Sequence, residues 1–262
     1  MSLLDAIILG VVQGLTEFFP VSSSGHLVLA EALLGVNPPG VSFEVLVHLA
    51  TAVSVLLLYS RRLMALLAGA VRREREALGY LGMLIVGSIP AGIVGLTLSD
   101  AVAVAFDSPL LVAVMLLITG AVVFATRWLV ERGQRESPGW GGAIIVGIAQ
   151  AFALLPGISR SGFTVAAALG WRVRRERAAE FSFLLSVPAI LGAGLLELPE
   201  FLQMETGAGI LQLSAAAVSA FVAGVIAISL FLRWLRSGHY HRFAYYCWAV
   251  GVGYLVFTLI AK

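Results

Sequence analysis

The sequence predicts an all-α integral membrane protein, with six spanning helices and two re-entrant helical hairpins arranged as an inverted-topology repeat. Three observations predict it. The chain is 60% hydrophobic and only 12% charged, against about 45–50% and about 25% in soluble domains. Its apolar residues gather in runs long enough to cross about 30 Å of hydrocarbon. Its basic residues crowd into alternate links between those runs, as the positive-inside rule requires. The 262 residues read as one membrane domain with repeat halves near 1–135 and 136–262. A net charge of +2 is too small to recommend nucleic acid as a partner. The single cysteine, Cys247, excludes an intramolecular disulfide. Met1 to Asp5 lacks the basic start of a cleaved leader, so this end is expected to be retained.

Taken in order, the first apolar stretch, 3–35, is broken by Pro20-Val21-Ser22-Ser23-Ser24-Gly25-His26. Its arms, about 10 to 19 residues, are short for crossing alone. It is therefore expected to enter and leave on one side. Full spans are expected at 41–60, 78–98 and 109–130. A second broken stretch, 141–171, carries Pro156-Gly157-Ile158-Ser159-Arg160-Ser161-Gly162 and has the same expectation. Spans at 181–199, 213–235 and 243–261 complete the chain.

Charge placement tests this arrangement. With both hairpins re-entrant, the links 61–77, 131–140, 172–180 and 236–242 share one side, and with the adjoining helix ends that side holds fifteen of the seventeen Lys and Arg residues. The opposite links, 36–40, 99–108 and 200–212, hold none, and Lys262 alone joins them. If 141–171 crossed as one bent span, Arg172 to Arg177 would fall on the wrong face. Both termini are then expected to be extracytoplasmic. The remaining basic residue, Arg160, sits at the tip of the second hairpin. Gly10 to Pro20 also resembles Gly147 to Pro156, each followed by a Ser-x-Ser-Gly sequence. One hairpin plus three spans per half forces the halves to be inverted, with broken helices meeting near the midplane.

Ionisable residues in hydrocarbon cost several kcal/mol, about 2.5–3.5 on insertion scales, and so mark cavities or partners. Gln13 and Glu17 share one face of a helix just before the first loop. Glu17 reads as a cation ligand or proton carrier; a purely structural pair with Arg160 is the blander reading. Ser22 is placed to cap the helix that follows. Three serines with Gly25 and His26 exceed what a cap needs, and a helix start suits phosphate. Ser159, Arg160, Ser161 and Gly162 repeat the arrangement, and Arg is the side chain best matched to bidentate phosphate contact. His26 follows Ser22 by four residues and Ser23 by three, within reach of a hydroxyl across one helical turn. Nucleophile, base and orienting carboxylate are what hydroxyl activation requires. Glu44, His48 and Thr51 make a further polar stripe, read as cavity lining or as a bland helix contact.

Val12 to His26 and Pro156 to Gly162 resemble the two signature motifs of the bacterial undecaprenyl-diphosphate phosphatases of the bacitracin-resistance type. The likeness continues through Phe43-Glu44-Val45, Ile89 to Gly92 and Glu180 to Pro188, so it covers nearly the whole chain. The resemblance implies a hydrolase of the bacterial plasma (inner) membrane that removes one phosphate from the polyprenyl diphosphate carrier of peptidoglycan synthesis. It implies a divalent cation, Mg or Ca, as cofactor. It makes Glu17, Ser23, His26 and Arg160 the central residues, with Ser22, Ser24, Gly25, Ser159, Ser161 and Gly162 around the diphosphate. Glu17 and Gln13 are the implied metal ligands; Gln13 stands where the family has Glu or Gln, leaving one carboxylate fewer. In the expected mechanism His26, oriented by Glu17, activates Ser23, while a rival makes His26 itself the nucleophile or the activator of water. The alternative function is a transporter or flippase of a lipid phosphate or small anion, where inverted repeats with broken helices are commonest. The bilayer is the expected partner, and pairing of two copies as a homodimer is left open.

Overall fold

A computed structural model describes residues 1–36, 40–106, 108–196 and 209–260, the side chains of 40–42 and 257–260 excepted. Twelve α-helices and no strand occur among the described residues. α1 (Leu3–Phe18) opens on a capping box: the Ser2 hydroxyl accepts from the Asp5 amide and the Asp5 carboxylate accepts from the Ser2 amide. It stops because Pro20 holds Phe19 in extended backbone, φ −68° and ψ 146°. α2 (Ser23–Leu34) ends on Gly35 in the left-handed region. α3 (Gly40–Leu58) and α4 (Ser60–Val71) follow, bent 73° from one another. α5 (Arg75–Thr97), α6 (Ser99–Phe106) and α7 (Pro109–Ala125) complete the first half. In the second, α8 (Gly139–Phe152) and α9 (Arg160–Gly170) flank the other loop, ahead of α10 (Arg175–Leu196), α11 (Ile210–Arg236) and α12 (Phe243–Ile260).

α5, α7 with its 3-10 extension to Trp128, α10 and α11 are each long and apolar enough to cross a membrane, and α3 with α4 adds a fifth if the bent pair is one span. Two expected links are instead helical. The link 61–77 is largely α4, whose Leu66 and Gly69 are buried while Arg61, Met64 and Leu67 face out. An amphipathic helix of this kind buries one apolar stripe and leaves the other face exposed. The link 99–108 contains α6. The expected span at 181–199 starts earlier, at Arg175, and residues 37–39, 197–208 and 261–262 of the expected map lie outside the described residues.

Small residues bring the helices together, as close backbone approach in an apolar medium requires. α1 lies along α11, where a side chain at Gly10 or Gly14 would collide with the Ala216 and Ala220 carbonyls. α5 crosses α8 at Gly87 and Gly147, backbone against backbone. Buried Phe18, Phe183, Phe231 and Tyr240 pack edge to face between the halves, with centroids 5.0–5.5 Å apart.

The basic links are tied into one end of the bundle. Glu180 accepts from Arg62 at 3.0 Å, Arg177 at 2.9 Å and the Tyr80 hydroxyl at 3.3 Å. Glu136 accepts from Arg174 at 2.6 Å and Arg177 at 3.0 Å, and Arg175 donates to the Arg236 carbonyl at 2.8 Å. These bonds hold the carboxyl of fully exposed Glu136 below its ordinary range.

Two outcomes follow from this packing. Gly147→Ala, which drives a methyl into the Gly87 backbone, should cost about 1–3 kcal/mol, read as a lower melting temperature in detergent. Because the Glu136 carboxyl is depressed in the fold, its stabilisation is present above the unfolded carboxylate value of about 4.3 and fades as pH falls through the folded one. Glu136→Gln should therefore melt below the parent chain at pH 7, with the gap closing as pH falls through the folded value, as measured by thermal scans across pH.

Candidate active site

The two loops meet. Ser161, in the first turn of α9, donates its hydroxyl to the Phe19 carbonyl at 3.1 Å, and Arg160 Nη2 donates to Glu17 Oε1 at 2.5 Å. Glu17 stands in the last turn of α1 and is 7% exposed. A carboxylate there faces both burial and the negative end of the helix dipole, so it needs donors. Its Oε2 receives the Ser23 hydroxyl at 2.7 Å and Gln13 Nε2 at 3.1 Å, with His48 Nε2 at 3.5 Å. Four elements, α1, α2, α3 and α9, thus converge on one carboxylate.

The two helix starts differ. Ser159 caps α9, accepting from the Gly162 amide at 3.1 Å, while its hydroxyl lies 3.2 Å from that of Ser161. Thr119 of α7 fixes this loop from behind, donating to the Gly157 carbonyl at 2.9 Å and accepting from the Ser159 amide at 3.1 Å. Ser22 takes the cap position of α2 but does not cap it. Its backbone is held at φ 68° and ψ 102° and its hydroxyl pairs with Ser24 at 3.2 Å. A left-handed serine is strained by about 1–3 kcal/mol, and the first amides of α2 receive no side-chain cap. Gly25 is buried and faces Val112 and Leu116 of α7, whereas Gly162 lies tightly against Ser159.

His26 points away from Ser23. Its Nδ1 lies 2.7 Å from the Ser22 carbonyl and its Nε2 lies 2.8 Å from the Tyr246 hydroxyl, with the two rings stacked at 5.6 Å. A carbonyl only accepts, so Nδ1 carries the proton and in the neutral ring Nε2 keeps the lone pair. The carboxylate, not the imidazole, is the hydrogen-bond acceptor of Ser23. The chain direction that brought His26 one turn from Ser23 sets Cα spacing alone; the rotamer is decided by Tyr246, 220 positions away.

Two contributors were not among the expected central residues. His48 belongs to the stripe read as cavity lining, and its approach to Glu17 was signalled only by its spacing from Glu44 and Thr51. Its Nδ1 donates to the Glu44 carbonyl at 2.7 Å, so only the imidazolium donates at both nitrogens. Tyr246 carried no local signal at all. Among the described residues, no group of three His, Cys, Asp or Glu could hold a metal. The oxygens on offer to a cation are those of Glu17 and the buried Gln13 Oε1, which has no hydrogen-bond partner. Arg160 Nη1 is likewise buried and unpartnered, a free donor on the guanidinium that pairs with Glu17.

Removing one member of a buried ion pair strands the other. Glu17→Gln or Arg160→Gln should each cost about 3–5 kcal/mol. The double substitution should cost clearly less than the sum, a difference that a double-mutant cycle of detergent melting curves measures.

Residues 6–253 match the family model described as bacitracin resistance protein BacA. An undecaprenyl-diphosphatase of Desulforapulum autotrophicum is 39% identical to the chain over the full length of both. Those of Syntrophotalea carbinolica and Halothermothrix orenii are 41% and 40% identical, each over 96% of this chain and 97% and 96% of their own length. With a family model covering most of its length and relatives of this identity aligned end to end, the chain belongs to the bacitracin resistance protein BacA family.

Proposed function

We propose that the chain hydrolyses undecaprenyl diphosphate to undecaprenyl phosphate and inorganic phosphate, returning the lipid carrier to peptidoglycan synthesis and conferring bacitracin resistance. Beside the family relation, one observation carries this reading. A serine hydroxyl is hydrogen-bonded to a buried carboxylate and flanked by an arginine with a free N–H. Binding alone does not call for an oriented hydroxyl with a base on its proton.

The proposal extends to topology: six crossings, two hairpins re-entering from opposite faces as an inverted repeat, and both termini outside. The hydrogen bonds that join Arg62, Glu136, Arg174, Arg177 and the Arg236 carbonyl into one end support it, since that end then holds the cytoplasmic charge. The prenyl tail stays in the bilayer of the bacterial plasma membrane.

In the mechanism, Arg160 Nη1 and the uncapped amides of α2 bind the terminal phosphate. Ser23 Oγ forms a bond to the terminal phosphorus while the bond from that phosphorus to the bridging oxygen breaks. Undecaprenyl phosphate leaves with the electron pair, and the Ser23 proton passes to Glu17 Oε2. Water then cleaves the phosphoserine, releasing phosphate and restoring the hydroxyl. Positioning and charge stabilisation carry most phosphoryl transfers. His48 and Gln13 hold the carboxylate towards Ser23. Glu17 and the unpartnered Gln13 Oε1 are the residues that would hold a Mg or Ca ion alongside the substrate, since Mg is commonly bound through one or two carboxylates plus phosphates. Its contribution when bound is to neutralise diphosphate charge.

A second reading rests on the unprotonated His26 Nε2, whose lone pair accepts the Tyr246 hydroxyl and must be released from it to attack phosphorus, which makes that nitrogen the competing nucleophile. Phosphate release by purified Ser23→Ala separates the two: a loss of about 10³-fold or more is expected, and near-normal turnover would move bond formation to His26. Arg160→Lys keeps the charge but not the fork, and should lower kcat/KM by about 10²–10³-fold.

A further inference from the structure

A cavity of about 600 Å³ lies between the end of α1, the end of α11 and the start of α12, and its walls are largely apolar. Phe19, Phe243 and Trp234 form a continuous aromatic wall, with ring centroids 5.1 and 4.7 Å apart. One end of the cavity is built by the turn that carries Ser237, His239 and Arg242. That turn belongs to the Arg-rich end of the bundle, where Arg175 donates to the Arg236 carbonyl. Both His239 and Arg242 are exposed, and no carboxylate of the described residues pairs with either. His239 Nδ1 is 3.0 Å from the Ser237 hydroxyl, which leaves Nε2 outward. Deeper in, one helical turn beyond Arg242, Tyr246 lines the cavity and carries the hydrogen bond to His26 Nε2.

An apolar groove whose mouth holds an arginine without a counter-charge and a histidine beside it matches one kind of occupant, a lipid with a phosphate headgroup and hydrocarbon tails. We infer that this groove is a binding site for an anionic phospholipid of the leaflet on the Arg-rich side, its phosphate on Arg242 and His239 and an acyl chain along the Phe19, Phe243 and Trp234 wall. Its lining does not include Glu17, Ser23 or Arg160, and Tyr246 on its wall is hydrogen-bonded to His26. The bound chain packs against Tyr246, so the lipid contacts the partner of the site histidine without entering the site. One guanidinium and one imidazole suit a single phosphodiester, whereas the diphosphate substrate is met by Arg160 and the amides of α2.

Trp234 reports on the groove. Full-length protein in nanodiscs, with brominated phosphatidylglycerol or brominated phosphatidylcholine at equal mole fraction in an unbrominated phosphatidylcholine background, is compared with Trp234→Phe to isolate the emission of that residue. The expected result is about fivefold stronger apparent binding of the anionic lipid, the size expected of one basic residue at a lipid headgroup. Arg242→Gln, an exposed substitution, should bring the two lipids level, and Arg242→Lys should keep the preference. Equal quenching by both lipids in the parent chain would overturn the site, as would a preference that survives Arg242→Gln. Displacement of the brominated anionic lipid by undecaprenyl phosphate at a small fraction of its concentration would also overturn it, by assigning the groove to the product. Hydrolysis measured on the same discs reports on the proposed function separately, because the quenching needs no turnover.

Discussion

The ion pair between Glu17 and Arg160 joins a helix end in the first half of the chain to a helix start in the second. Each charge is there because of the other: a carboxylate 7% exposed among apolar helices, or a guanidinium with its side chain 15% exposed, would alone carry an uncompensated cost of several kcal/mol. Charge balance is only part of it. Glu17 also collects Ser23, Gln13 and His48, so the same carboxylate that closes the two loops together also orients the Ser23 hydroxyl.

The scaffold around this pair is shaped to let the loops approach. Proline ends α1 at Phe19, and the backbone carbonyl thereby left without a helical partner is taken by Ser161. The next carbonyl, that of Pro20, lies 3.2 Å from Cys247 Sγ, which ties the loop to α12. Gly10 and Gly14 set α1 against α11, as Gly87 and Gly147 set α5 against α8, so the two broken helices are held by equivalent close crossings. Thr164 and Ser182, with hydroxyls 2.6 Å apart, pin α9 to α10 inside the core. Hydroxyls do this work because each carries both donor and acceptor and no charge to desolvate.

The two halves resemble each other in sequence but have divided the labour. The second loop is finished within the protein: Ser159 caps its helix, Thr119 braces it, and Gly162 has its amide already bonded. The first loop is left open. Ser22 is held in a strained left-handed conformation with its hydroxyl turned to Ser24, and the α2 amides have no side-chain acceptor. Strain and unmet donors at one position are the features that a phosphate ligand would compensate. Gln13 and its echo Gln150 show the same asymmetry. The first bonds Glu17, while the second is 3% exposed with neither side-chain atom hydrogen-bonded.

The amino-acid sequence by itself determined the all-helical class, the places where helices break, and the identity of the charged residues that meet. Those follow from costs paid locally: Pro20 ends α1 whatever surrounds it and Pro156 keeps the second loop from resuming a helix, and Glu17 and Arg160 are too expensive in hydrocarbon to be idle. The basic links were legible for the same reason, and Arg62, Arg174 and Arg177 do gather at one end. Tertiary structure alone decided what each polar atom faces. Ser22 occupies the position of a cap and yet does not cap. His26 sits one turn from Ser23 and turns to Tyr246 instead, while Ser23 is taken by Glu17 and His48 reaches the same carboxylate from α3. Spacing along a helix sets which Cα atoms are near; the rotamer of a histidine or serine is chosen by partners that packing delivers from helices far away in the chain.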